Sequence, residues 1–400
     1  MKIIHTGDWH IGKIVNEFSM IEDQRFVLQQ LIDIIIEERP SALIIAGDLY
    51  DRSIPPVEAV ELLDEIFSKI LLELKVPILA IAGNHDSGER LSFASRILTS
   101  NGLHIAGTFH KKVEKITLEE EAGQVNFYLL PYADPKEIRH ELNEEEISTH
   151  DEAMERVLQG ISREISSGER NILVAHGYVS FMNEEAFEGE EKENKRAGLE
   201  ISGSERPLSI GGTDIINGRH FSSFNYTALG HLHGPQKVGS DKIRYSGSLL
   251  KYSFSEVNHN KGVAVVDIDK DGEVTIKHRT LMPKRDMRII KGPLKELIKP
   301  EVYKNGNIED YIYAILTDEE ELADPISKLR AVYPNIMGLH RETGMEREDS
   351  KTSAGQGFQK KTKLKLFEEF YETITGKQLS DNKLKVIKEV IEAVETEEKR

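Results

Sequence analysis

"SALIIAGDLYD", residues 41–51, runs without a polar interruption from Ala42 to Ala46, then turns through Gly47 into Asp48. An unbroken apolar, β-branched run suits a strand buried on both faces rather than one with a solvated side. Four other stretches repeat the pattern: "KIIHTGDWH" (2–10), "PILAIAGNHD" (77–86), "NILVAHG" (171–177) and "YTALGHLH" (226–233). Each closes an apolar run with a small residue and then Asp, Asn or His.

Helical patterns separate the first of these runs. Residues 22–38 space Phe26, Leu28, Leu31, Ile32 and Ile35 along one predicted face and stop before Pro40. Residues 56–75 start at a proline and repeat apolar residues at helical spacing. Strands alternating with helices predict an α/β sandwich, in which the carboxyl ends of the strands line the functional crevice. "GVAVVDIDKDGEVTIKHRTL" (262–281) reads as a hairpin turning at Asp271-Gly272.

The strand-end residues are Asp8 and His10 (D-x-H), Asp48 and Asp51 (G-D-x-x-D), Asn84, His85 and Asp86 (G-N-H-D), His176, and His231 and His233 (G-H-x-H). Carboxylate, imidazole and amide oxygen without thiolate suit divalent cations such as Mn²⁺, Fe²⁺, Mg²⁺ or Zn²⁺. The donors are too many for one ion and sufficient for two if one carboxylate bridges. A pair of ions is the standard clamp for hydrolysing phosphate esters. In extended chain, side chains two apart face the same way, so His231 and His233 share a face.

In this order the five motifs resemble the signature of the calcineurin-like metallophosphoesterase superfamily, whose fold is a four-layer α/β/β/α sandwich. More narrowly, "HTGDWHIGK", "GDLYDRSIPP", "GNHDSGERL", "SERPLSIGGTD", "YSGSLLKYSFSE" and "LFEEFYETITGKQLS" resemble its SbcD branch of nuclease subunits. The resemblance implies one ion on Asp8, His10, Asp48 and His233, a second on Asp48, Asn84, His176 and His231, and Asp48 bridging. It implies that His85 is the catalytic histidine that protonates the leaving oxygen or stabilises charge on the phosphate. Asp51 and Asp86 are expected to orient the histidines and loops, and Tyr50 and Arg52 to flank the rim where DNA phosphate would contact. Trp9 is expected to pack away from the ions.

The same resemblance implies Mn²⁺, with Mg²⁺ or Fe²⁺ as alternatives, and a 3′-to-5′ exonuclease on duplex ends that also cuts hairpins and single strands. Such subunits act in DNA repair, recombination and replication, as homodimers within a heterotetramer with the ATPase SbcC. The expected domains are the nuclease domain (1–281), a small α/β capping domain touching DNA (282–341), a linker (342–362) and a C-terminal helix pair docking on SbcC (363–400). The helix pair would present Leu364, Phe367, Phe370, Tyr371 and Ile374, then Leu384, Ile387, Ile391 and Val394. Rival expectations are a phosphatase or cyclic-nucleotide phosphodiesterase on the same centre, and a non-catalytic scaffold tethering an ATPase to DNA.

Composition bounds these expectations. The 400 residues, 38% hydrophobic and 30% charged, suit a soluble chain of two or three domains. No apolar run approaches the roughly 18 residues of a membrane span, and the N-terminus shows no signal-peptide pattern. The absence of cysteine excludes disulfides and thiolate chemistry and points to the reducing cytoplasm, with association to the nucleoid expected for a DNA enzyme. The net charge of −17 is unlike a phosphate-backbone binder's. Two divalent cations would add about four positive charges where the scissile phosphate sits. The Glu- and Gly-rich stretch 183–211 reads as a long surface loop.

Overall fold

The computed structural model describes residues 1–166, 168–181, 199–205, 214–320 and 322–342, together with Leu364, Phe367, Tyr371, Lys383, Leu384, Ile387 and Lys388. Most of the 183–211 loop, almost all of the 342–362 stretch, and Phe370, Ile374, Ile391 and Val394 of the tail lie outside the described residues.

The five apolar runs form strands at the centres of two six-stranded sheets. In the first sheet, β1 (Lys2–Thr6), β2 (Ala42–Ala46), β3 (Ile78–Ile81) and β4 (Leu103–Ala106) run parallel. The second sheet contains β5 (Glu114–Glu120), β6 (Gly123–Leu129), β7 (Arg170–His176), β8 (Tyr226–Gly230), β9 (Gln236–Val238) and β10 (Ser240–Tyr245), in the order β9-β10-β8-β7-β6-β5. Its central strands β6, β7, β8 and β10 are parallel. The predicted hairpin is present as β11 (Gly262–Ile268) and β12 (Val274–Thr280), which completes the first sheet in the order β12-β11-β1-β2-β3-β4.

The two sheets pack face to face. Ile3, Ala42, Ile44, Leu79 and Ile81 from one meet Phe127, Leu129, Ile172, Val174 and Ala228 from the other. Outside the first sheet lie helix α1 (Ile21–Glu38) and helix α2 (Val57–Ser68). Outside the second lie α3 (Pro135–Leu142) and α4 (His150–Ser162). The architecture is the α/β/β/α sandwich. Strands covered on both faces explain why the sequence shows apolar runs without alternation: Ala42, Leu43, Ile44, Ile45 and Ala46 are all fully buried.

Helix α1 corrects one detail. It buries Val27, Leu28, Leu31, Ile32 and Ile35, but Phe26 is 44% exposed. Phe26 and Leu28 are two residues apart, about 200° around a helix, so they cannot share a face. The helix ends at Glu38, where Arg39 adopts a left-handed conformation and donates its N–H to Ile35 O, just before Pro40.

Residues 1–316 and 322–340 make one compact unit, and residues 317–321 with 341–400 make another. Within the first, β13 (Met287–Gly292), β14 (Tyr311–Leu316) and β15 (Ile336–Arg341) form a small sheet. Its own apolar cluster includes Leu294, Leu297, Ile312, Ala314, Leu329 and Tyr333. In the second unit Leu364, Phe367 and Tyr371 are helical and half-buried, as are Leu384 and Ile387, and Lys383 Nζ donates to Tyr371 OH at 2.7 Å. Among the described residues no helix is long and apolar enough to cross a membrane.

Candidate metal centre

β1, β2 and β3 run parallel to one another in the first sheet, as β7 and β8 do in the second, and the residues at their carboxyl ends come together in one cluster. The chain leaves these strands in unusual backbone. Asp8, His10, Asp48 and His231 have φ of 53°, 47°, 51° and 113°. Side chains in this region cost about 1–3 kcal/mol each and persist only where neighbours fix them. Here the backbone is pinned: Asp8 N–H donates to Gly47 O (3.0 Å), His10 N–H to Asp48 O (2.9 Å) and Ile11 N–H to Leu49 O (2.9 Å).

The glycines of the motifs answer to space. A Cβ on Gly230 would lie 1.8 Å from Ala46 O, so glycine is what lets β8 close onto β2 across the sandwich.

All seven predicted ligands come together, each buried or nearly so. His10 Nε2 lies 3.1 Å from His233 Nε2 and 3.6 Å from Asp48 Oδ2. His176 Nε2 lies 3.6 Å from the same Asp48 oxygen and 2.9 Å from Asn84 Oδ1, and His231 Nδ1 lies 3.2 Å from Asn84 Oδ1. Asp8 Oδ1 accepts the His231 backbone N–H at 2.9 Å, while its buried Oδ2 has no hydrogen-bond partner. Donor atoms of Asp8, His10 and His233 fall within 4.8 Å of one another, as do those of Asp8, Asp48 and His176.

Hydrogen bonds assign the ring nitrogens. Burial pulls His176 down to about 4, so at neutral pH it carries one ring hydrogen. Its Nδ1 faces Ala46 O at 2.8 Å and must hold that hydrogen, because a carbonyl only accepts. The Nε2 lone pair therefore faces the Asn84 oxygen, two acceptors in contact with no proton between them. A cation resolves that juxtaposition, as it would the orphaned Asp8 oxygen. The donor set fits divalent metal ions.

Burial also sets the carboxylates. Asp48 is pushed up to about 6, and Asp8 well above the carboxylate range, with Asp48 adding to the effect. Burial holds His10 and His231 well below the ordinary histidine value and His233 at about 4. Burial thus favours the uncharged form of each of these imidazoles and carboxyls.

His85 sits beside this cluster, its ring 4.7 Å from that of His10. Its backbone N–H donates to Asp48 Oδ1 (2.9 Å) and its Nδ1 to Asp51 O (2.9 Å), which leaves Nε2 uncommitted. The Asp51 carboxylate pairs with Lys13 at 2.6 Å and lies 3.8 Å from His10 Nδ1. Among the described residues the Asp86 carboxylate makes no hydrogen bond to a histidine. It accepts the backbone N–H groups of Leu49, Tyr50 and Gly83, tying the loops after β2 and β3 together, and burial pushes it up to about 7. The Tyr50 side chain lines a cavity beside α2 with Val60 and Phe67. Arg52 is exposed, 3.9 Å from Asp51. Trp9 is fully buried, donates to Thr6 Oγ1 and packs edge-on against Phe67.

Other groups around the ligands are not signalled by the motifs. Gln24 donates to the carbonyls of Trp9 and His10, and Tyr252 OH to that of Trp9. Glu205 accepts the His233 N–H at 2.7 Å. Fully buried Glu256 lies 3.4 Å from His233 Nδ1 and pairs with Lys261 at 2.5 Å.

The profile of the calcineurin-like phosphoesterase family matches residues 1–234, which hold every residue of the cluster. The chain belongs to that family. Calcineurin-like phosphoesterases hydrolyse phosphoesters with divalent metals. A second profile, SbcD_C, described as the type 5 capsule protein repressor C-terminal domain, matches residues 283–375. Together the matches make the chain a calcineurin-like phosphoesterase of the SbcD type. Among solved structures it is similar to a protein from Thermus thermophilus (11% identity, TM-score 0.37, covering 69% of this chain and 98% of that one). It is also similar to a dimetal phosphatase from Danio rerio (13%, TM-score 0.39, 70% and 96%).

Proposed function

We propose that this phosphoesterase is the nuclease subunit of an SbcD-type complex, cutting DNA phosphodiesters at a two-metal centre. The observation that carries the reading is the convergence of seven donors, all but half-buried Asn84 fully enclosed, with His85 beside them. Asp8, His10, Asp48 and His233 would hold one ion, and Asp48, Asn84, His176 and His231 the other, with Mn²⁺ the favoured metal. Divalent cations there supply Lewis-acid activation and charge neutralisation for attack on phosphorus.

The residues do the rest. Asp48, held through Oδ1 by the His85 N–H, keeps Oδ2 turned toward both halves of the cluster. His85 is the catalytic residue: with Nδ1–H committed to Asp51 O, Nε2 is the free position, and the imidazolium form would give its Nε2 proton to the leaving oxygen and return to the neutral ring. Asp86 and Gln24 fix the loops on which the ligands ride. Arg52, exposed at the rim, and Tyr50 are the proposed contacts to DNA phosphate.

The proposed substrate is duplex or hairpin DNA, with 3′-to-5′ exonuclease and endonuclease activity in repair, recombination and replication at the nucleoid. The SbcD-type match over 283–375 supports a capping unit at 282–341 and the first helix beyond the 342–362 linker, and the proposed helix pair at 363–400 would dock on an SbcC ATPase. Homodimerisation within a heterotetramer is supported by exposed Val57, Phe93 and Ile97 on neighbouring segments.

The test is end-labelled hairpin duplex incubated with the chain and Mn²⁺, with and without the ATPase. Cleavage is expected. No cleavage in either case rejects the nuclease reading, and hydrolysis of a small phosphoester without DNA cutting would favour a phosphatase.

A further inference from the structure

Glu256 has 0% exposure and lies next to the centre. Its Oε2 pairs with Lys261 Nζ at 2.5 Å, and its Oε1 accepts the hydroxyl of Ser204 at 2.5 Å. Ser204 Oγ in turn lies 2.8 Å from His233 Nδ1. Because the Ser204 hydrogen goes to the carboxylate, its oxygen accepts from His233, which places the imidazole hydrogen on Nδ1 and the lone pair on Nε2. That Nε2 is the nitrogen facing His10 Nε2.

The main chain of His233 is gripped as well. Its N–H donates to Glu205 Oε1 (2.7 Å), and its carbonyl accepts from Lys261 (2.8 Å). Ser202 holds Glu205 through both its N–H (3.0 Å) and its hydroxyl (2.9 Å). Gly203 N–H donates to Ser255 Oγ at 2.8 Å.

We propose that Ser204 and Glu256 are positioning residues: a carboxylate–hydroxyl–histidine relay that sets the tautomer and tilt of His233 for metal binding. Carboxylates that orient a ligating histidine directly are common, and their loss weakens metal affinity about 10–100-fold. Here Glu256 Oε1 also comes within 3.4 Å of His233 Nδ1, but the Ser204 hydroxyl makes the shorter contact at 2.8 Å, and it comes from the Ser202–Glu205 segment rather than from a sheet strand. The proposal rests on the metal-centre reading above.

The test compares the full chain with Ser204→Ala and Ser204→Thr, each stripped of metal and titrated with Mn²⁺. Wild type is expected to bind two ions per chain. S204A should bind one of them about 10–100-fold more weakly and leave the other unchanged, while S204T, which keeps the hydroxyl, restores both. Nitrogen-15 NMR of the metal-free chains supplies a second readout. His233 should carry Nδ1–H in wild type and shift toward mixed tautomers in S204A. Unchanged affinities, equal weakening of both ions, or an Nε2–H tautomer in wild type would each overturn the relay. A wild type that binds no Mn²⁺ would instead overturn the metal-centre reading, while the tautomer measurement would still judge the relay.

Discussion

The backbone N–H of His85 donates to Asp48 Oδ1 over 2.9 Å, so the candidate proton donor and the candidate bridging carboxylate form one unit. The contact uses His85's main chain and leaves its side chain a separate task. Substitution can therefore divide the two roles.

His85→Ala should keep two Mn²⁺ per chain, because the N–H on Asp48 survives, yet lose about 10²–10⁴-fold in cleavage rate, the usual worth of a positioned acid. Single-turnover cleavage of labelled duplex, beside a Mn²⁺ titration, measures both. Full cleavage by a metal-loaded variant would remove His85 from the mechanism.

His231 and His233 face opposite halves of the cluster, the first toward Asn84 and the second toward His10. His231→Ala and His233→Ala should each bind one Mn²⁺ tightly, and the double variant none. Asp48→Ala, lacking the shared oxygen, should lose both. Stoichiometry by titration decides. If one single variant emptied both sites and the other emptied neither, the ligand sets would need redrawing.

Proton competition should come from the carboxylates alone. His176 and His233 sit at about 4 and stay neutral above pH 5, whereas Asp48 sits at about 6 and must lose its proton before it binds a cation. Asp8, raised further by burial and by Asp48, adds to the same demand. Affinity of the metal-free chain for Mn²⁺ should therefore rise with pH from 5 to 7, each binding event releasing protons. Calorimetry in buffers of different ionisation enthalpy reads that release. A flat profile would mean that both acids are already ionised.

The ligands were legible because strands that run the same way in a sheet end on the same edge: Asp8, Asp48 and Asn84 share one such edge and His176 and His231 another, and the face-to-face packing of the sheets brings the two together. The supports were not. Glu256, Lys261 and Ser204 lie in connecting segments with no period, and a buried ion pair looks in sequence like two solvated charges. The left-handed backbone at Asp8, His10 and Asp48 was invisible too, since propensity would place glycine there. Phe26 misled because apolar character was read as burial, and helix α1 carries two large apolar residues, Phe26 and Ile36, beyond what its covered face accommodates.

Two glycines separate site from scaffold. A Cβ on Gly83 would stand 2.2 Å from Asp48 Oδ1 and 2.4 Å from Asp48 N, and the backbone nitrogen cannot swing away as a side-chain end could. Gly83→Ala must push the carboxylate or its loop aside, so it should cost about 1–3 kcal/mol and weaken Mn²⁺ binding. Gly160, near the end of helix α4, has nothing within 4 Å of its would-be Cβ. Gly160→Ala should stabilise the chain by about 0.4–1 kcal/mol by restricting the unfolded state, with metal binding untouched. Thermal melts and Mn²⁺ titrations of the two variants check the pair. Normal metal affinity in Gly83→Ala would show that the loop relaxes and that Asp48 does not depend on that close approach.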